Sequence, residues 1–116
     1  MNKKLNDYTK KLQKDRDEAK QGEFFFAAFH SEHILRTSPV LVVGNSEAHD
    51  DRDIIVCKCS TKPARTKFDK PVQLKEESII RTNKLYTIGR DQLEFKIPQG
   101  IEEELNEVLN CVKSCF

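Results

Sequence analysis

The residues able to do chemistry in this chain are few and unevenly spaced. His30 and His33 flank Ser31 and Glu32 in "FHSEHI". Histidine titrates near neutral pH and can take or give a proton. No serine–histidine–aspartate order accompanies the pair, so the plain reading is two surface-loop histidines. His49, in the turn-rich "SEAHDD", reads the same way. Cys57, Cys59, Cys111 and Cys115 are spaced C-x-C and C-x-x-x-C, which is not a common zinc pattern. The first two share a face on a strand and the last two share a face on a helix. Were those faces to meet, four thiolates could hold zinc. Buried thiols acting as small apolar side chains are the favoured reading, because cysteine is among the most buried residue types. Lys62, Arg65, Lys67 and Lys70 cluster just after Ser60. Such a cluster is either a solvated face or a track for phosphates, with Phe68 stacking a base or packing on the fold. Arg36 stands three residues before Pro39 in "ILRTSPVLVVGNSE", at the entry to an apolar strand. What it faces is the main question the sequence poses.

The elements that must position these residues follow from pattern and punctuation. Residues 1–21 carry Leu5, Tyr8 and Leu12 at helical spacing among lysines and aspartates. So thin a stripe makes either a docked helix or a frayed, solvated extension. Gly22 is the break. From there strands dominate. "EFFFAAF" is followed by a polar loop "HSEHILRTS", and "PVLVVG" is bounded by Pro39 and Gly44. "NSEAHDD" is a loop, "RDIIVCKCS" a strand, and "TKPARTKFDK" a loop. "PVQL" and "SIIRTNKLYTI" supply two or three short strands, and "PQG" at 98–100 breaks the chain. The clearest helix is "IEEELNEVLNCVKSC", with Ile101, Leu105, Val108, Leu109 and Val112 in one stripe. Glu102, Glu103 and Glu104 sit at its N-terminal end, where the helix dipole favours them. Short strands with little helix between them predict a small curled sheet or barrel, partly covered by the C-terminal helix. The domain boundaries expected are 1–21 for a charged helical extension and 22–116 for the barrel.

Totals narrow the function. With 116 residues the chain suits one domain. Twenty basic residues against 19 acidic ones give a net charge of +1, so no general attraction to nucleic acid or membrane exists. Any RNA site must come from clustering in the fold. No apolar run approaches the ~20 residues of a membrane helix. The charged N-terminus lacks the apolar centre of a secretory signal. A cytoplasmic protein with reduced thiols is expected.

Four segments, in order, resemble the MazF, Kid and PemK family of toxin ribonucleases. "GEFFFAAFH" is similar to the family's opening strand, and "SEHILRTSPVLVV" to its Ser-Glu-Gln loop leading to Arg-Pro-Val-Leu-Val. "DIIVCKCSTKPAR" resembles its apolar strand ending in Thr-Ser, and "SIIRTNKLYTI" its Ser-Val-Val-Arg…Lys-Leu-x-Thr-Leu segment. The resemblance implies an SH3-like barrel of the MazF/CcdB type. It also implies a homodimeric, metal-independent and cofactor-free endoribonuclease, a hydrolase that cuts single-stranded RNA at a short sequence and is neutralised by an antitoxin protein. In the family an arginine directly before the proline and a threonine at the end of the third strand carry the cleavage. Here Ser60 holds the threonine's place and keeps the hydroxyl, while Ser38 holds the arginine's place. Arg36 is two residues early. In an extended segment that shift of ~7 Å keeps the side chain on the same face. Some members use an aspartate two residues after the arginine matching Arg81, and here that residue is Asn83.

Cleaving RNA without metal uses the 2′-hydroxyl as nucleophile and needs positive charge on the phosphorane-like transition state. An arginine fork holds two phosphate oxygens at once. The resemblance therefore makes Arg36, Ser60 and Arg81 the catalytic candidates, with Lys62, Arg65, Lys67 and His33 facing RNA. The departures at Ser38 and Asn83 motivate the alternative, a MazF-like module that has lost cleavage and kept binding to a protein or nucleic-acid partner.

Overall fold

The computed structural model describes residues 3–31 and 33–116, the side chains of 3–5 and Ser31 excepted. Helix α1 spans Lys3–Asp17. Six strands follow: β1 Glu23–Ser31, β2 Ile34–Val42, β3 Asp53–Ser60, β4 Asp69–Gln73, β5 Glu77–Gly89 and β6 Leu93–Gly100. Helix α2 spans Leu105–Lys113. All pairings are antiparallel, and the sheet order is β4-β5-β3-β2-β1-β6. The result is the mainly β architecture with terminal helices that the pattern predicts. Among the described residues no helix is long and apolar enough to cross a membrane.

Both faces of the central strands are buried, which explains why "FFFAAF" and "PVLVV" do not alternate cleanly. Phe24, Leu41, Cys57, Cys59, Ile80 and Ile97 form the core inside the curl. Ile101, just before the turn that leads into α2, and Val108 of α2 close it, with Leu105, Leu109 and Val112 packed alongside. The C-terminal stripe thus covers the open part of the sheet, as expected. Phe25, Ala27, Val40, Val42, Ile54, Val56, Ile88 and Leu93 form a second core on the outer face, against Ala19. Burying one such large side chain stabilises by about 1.5–3 kcal/mol. The apolar residues of 24–29 and 39–43 are largely taken up by these cores.

Three readings are corrected. The polar loop expected over 30–38 is mostly strand: β2 begins at Ile34, and Phe29 pairs with Arg36 across a tight hairpin. His33, with φ of 71°, makes the turn. Register with β1 overrides the polar composition of "ILRTS". The two or three short strands expected after residue 70 are β4 and one 13-residue β5. "LEFKIPQG" is a further strand, β6, which tolerates Pro98 because it lies at the sheet edge.

Helix α1 docks through its C-terminal end. Tyr8 stays 59% exposed, and Leu12 is half-buried. The Leu5 side chain of the expected stripe lies outside the described residues. Arg90 donates from Nη1 to the carbonyls of Arg16 (2.9 Å), Asp17 (3.4 Å) and Ala19 (3.2 Å), and from Nε to Asp50 O (3.0 Å). A cation on the orphan carbonyls also complements the helix dipole.

Candidate functional site

The pairing of β2 with β3 builds one wall of a cleft. Val40 pairs with Lys58 and Val42 with Val56, and these valines lie in the outer core. By alternation, Arg36 and Ser38 on β2 share that outer face with Lys58 and Ser60 on β3. Only the far end of this face is polar, where the outer core stops.

The other wall comes from an irregularity in β5. Five residues along β5, Leu85 to Ile80, answer two along β3, Cys57 to Cys59. The extra chain bends β5 so that Arg81 leaves β3 and pairs with Asp69 of β4. Arg81 thereby joins the cleft. Its lining is Arg36, Ser38, Lys58, Cys59, Ser60, Lys62, Pro63, Arg65 and Arg81, around a volume of ≈ 520 Å³.

Five of the seven residues singled out by sequence therefore meet: Arg36, Ser60, Lys62, Arg65 and Arg81. The basic cluster of the sequence splits. Lys62 and Arg65 enter the cleft, and Lys67 lies over the Phe68 ring (Nζ 5.4 Å from its centroid). Lys70 points to Glu107, 4.0 Å away. His33 sits in the exposed hairpin turn, and neither it nor Lys67 lines the cleft.

Hydrogen bonds fix the loop 61–68. Ser60 Oγ accepts from Lys62 N (3.1 Å), which leaves its proton as a donor. Asp69 Oδ2 accepts from Arg65 N (2.7 Å) and Thr66 N (3.2 Å), and also from Arg81 Nη1 (3.2 Å). Thr82 donates its amide to Phe68 O (3.2 Å), and its hydroxyl donates to the same carbonyl. Beside the cleft, Lys58 Nζ lies 4.1 Å from the Phe29 ring centroid and 5.1 Å from that of Tyr86.

Sequence reasoning missed Lys58 and Asp69. Lys58 had a signal, a charge in the apolar strand "IIVCKC", two residues before Ser60. Asp69 had a weaker one, a lone acid in a basic loop.

The thiols converge in part. Cys111 Sγ lies 3.2 Å from Thr82 Oγ1, and Cys57 and Cys115 both donate to Thr82 O (3.8 and 3.9 Å). Cys59 is buried in the core inside the curl and only borders the floor of the cleft. Among the described residues no three His, Cys, Asp or Glu side chains are grouped to hold a metal. Burial first, then the neighbouring Cys115 and Cys111, pushes the Cys57 thiol up to about 12. Burial, then Cys57, raises the Cys59 thiol as well. Neither is a thiolate nucleophile near neutral pH.

His49 is not bland in structure. Its Nε2 accepts from Ile55 N (3.0 Å), where loop 44–52 folds back on β3. Gly44 makes room for the ring: a Cβ there would lie 2.1 Å from Nε2. Burial, and then the charge of Arg90, lowers its pKa, and Asp50 opposes them.

The cleft can hold phosphates, donate a hydroxyl hydrogen bond and stabilise added negative charge. Among the described residues its lining carries no carboxylate or imidazole.

The family model described as PemK-like, MazF-like toxin of type II toxin-antitoxin system matches residues 20–116. No curated protein matches the sequence. Among solved structures, an endoribonuclease in complex with its cognate antitoxin from Mycobacterial species is 13% identical with a TM-score of 0.69. That likeness covers 82% of this chain and 91% of the other. The MazE-MazF structure from Deinococcus radiodurans is 14% identical, TM-score 0.68, covering 83% and 94%. The Mycobacterium tuberculosis toxin MazF-mt6 is 18% identical, TM-score 0.62, covering 79% and 96%. At these identities the likeness is one of fold.

Proposed function

Because this chain belongs to the family of PemK-like, MazF-like toxins of type II toxin-antitoxin systems, we propose that its basic cleft binds and cuts single-stranded RNA, and that an antitoxin protein restrains it. The observation that carries this reading is the convergence of Arg36, Lys58, Lys62, Arg65 and Arg81 around the Ser60 hydroxyl. A cleft lined by one sign of charge concentrates phosphate and focuses its field on the bound group. The 2′-hydroxyl next to the scissile phosphate serves as nucleophile: it gives its proton to solvent water as the 2′-O–P bond forms, the P–O5′ bond breaks, and the leaving 5′-oxygen takes a proton from water, leaving a 2′,3′-cyclic phosphate, so no metal is called for. Arg36 and Arg81 meet the charge that builds on the phosphorane oxygens, and Ser60 donates a hydrogen bond to one of them. Lys62 and Arg65 hold flanking phosphates. Arg36 acts from two residues before the family position because β2 is extended there and alternation keeps it on the cleft face. The antitoxin as partner rests on the neighbour solved as an endoribonuclease with its cognate antitoxin. A homodimer and a cytoplasmic site of action follow from the same reading.

A second reading is favoured by two observations, the lack of a carboxylate or imidazole in the described lining and the presence of Ser38 before Pro39. In it the cleft binds RNA or a partner protein without cutting. Incubation with single-stranded RNA in the presence of a chelator separates the two. Cleavage that Arg36→Ala lowers by ~10²–10³-fold supports the nuclease. Binding without cleavage, with cleavage gained in Ser38→Arg, marks a silenced nuclease scaffold. Binding with no gain in that variant supports the second reading.

A further inference from the structure

Asp69, the first residue of β4, is an acid directly after the basic loop 61–68, yet it does not line the cleft. Its side chain is 1% exposed and that of Arg81 9%. One oxygen, Oδ2, accepts from Arg65 N, Thr66 N and Arg81 Nη1. The other, Oδ1, is buried and has no hydrogen-bond partner among the described residues. Three donors on one oxygen is an arrangement set by direction rather than by satisfaction of the group. Two of the donors belong to the loop that carries Lys62 and Arg65 into the cleft. The third is the guanidinium that reaches the cleft from β5. Asp69 and Arg81 are also ladder partners, so both ends of the contact are fixed by the sheet.

We infer that Asp69 is a positioning residue for the basic cleft: its buried carboxylate aims the Arg81 guanidinium and sets the course of the loop bearing Lys62 and Arg65. This rests on the reading of the cleft as an RNA site. Asp69 touches no substrate in this arrangement. It leaves the remaining N–H groups of Arg81 directed by a single fixed bond, and arginine at such a site is a fork whose plane decides which phosphate oxygens it meets. Asparagine at 69 keeps a carbonyl oxygen for the two loop amides and removes the charge that holds Arg81. Alanine removes both.

The test compares the wild type with Asp69→Asn, Asp69→Ala, Arg81→Met and the double variant Asp69→Asn/Arg81→Met. Measured for each are amide exchange at Arg65 and Thr66, affinity for a single-stranded RNA blocked at its 2′-hydroxyls, and circular dichroism. Asp69→Asn is expected to keep exchange within about 2-fold of the wild type while affinity falls about 10-fold or more, since a small misplacement of a phosphate-binding group is costly. Asp69→Ala is expected to speed exchange about 10-fold as well, because the loop amides lose their acceptor. In the Arg81→Met background, Asp69→Asn is expected to add no more than about 2-fold. Losses that multiply in the double variant, or wild-type affinity in Asp69→Asn or Arg81→Met, overturn the inference. Should the single Asp69 variants not fold, the neutral pair of the double variant, set against Arg81→Met, still decides it. Arg36→Ala is the control for the underlying reading. If it weakens RNA binding and Asp69→Asn does not, only the positioning role falls. If the wild type has no RNA affinity, the cleft reading falls and takes the inference with it.

Discussion

Salt titration of RNA binding tests the cleft in numbers. Of its five cations, Arg81 is already ion-paired with Asp69 and so carries no counterion for RNA to release, which leaves Arg36, Lys58, Lys62 and Arg65 without an ion-pair partner among the described residues. Each phosphate neutralised on a single strand adds about −0.7 to the slope of log K against log salt. Four contacts give a slope of about −3, or a loss of about 50-fold in affinity between about 50 and about 200 mM salt. The assay is fluorescence anisotropy with a 2′-blocked single-stranded RNA. Lys62→Ala and Arg65→Ala should each make the slope shallower by about 0.7. Lys67→Ala should leave it unchanged, because Lys67 lies over Phe68 and outside the cleft. The comparison matters because Lys62 and Lys67 belong to the same cluster in sequence. A slope near zero, or equal effects from Lys62 and Lys67, would refute the assignment of the cleft.

His49 makes stability depend on pH in one window. Its pKa in the folded chain lies below the ordinary 6.5, so the unfolded chain takes up the proton first, and stability present above 6.5 is lost as pH falls through the folded value. Backbone hydrogen bonds from Asp53 and Arg52 also hold Asp50 below its ordinary 3.8, but that contribution is lost only at lower pH. Thermal melts between about pH 7.5 and 5 should therefore fall more steeply for the wild type than for His49→Gln, and parallel curves would sink the assignment. Thiol titration with a disulfide reagent near neutral pH should modify half-buried Cys111 and Cys115 before Cys57 and Cys59. Early labelling of Cys59, followed by mass spectrometry, would contradict its burial. Deleting residues 1–17 should leave one cooperative thermal transition, whereas deleting 1–21 should cost more, because Ala19 and the Gln21 bond to Val43 O (2.9 Å) go with it. A broad, non-cooperative melt of the shorter deletion would show that α1 is part of the core.

Local pattern and the order of segments already specified part of this molecule. The α2 stripe has one strong period, so its face and its role as a cover were legible. The β-branched runs at 40–43 and 54–56 could be little but buried strands. The four segments in order placed the chain in its family, and strand alternation put Arg36 on the same face as Ser38. The hairpin at 30–38 was not legible, because its polar residues become strand only through pairing with β1. Nor was β6, whose Pro98 reads as a break until its place at the sheet edge is known. Which lysines of the 62–70 cluster face the cleft depends on a loop tied to Asp69, an acid whose partner, Arg81, is twelve residues away on another strand. The three surplus residues of β5 that turn Arg81 away from β3 leave no mark in composition or period. Alternation is a property of one strand and can be read along it. Register, bulges and buried ion pairs are agreements between strands, and only the folded sheet holds both parties.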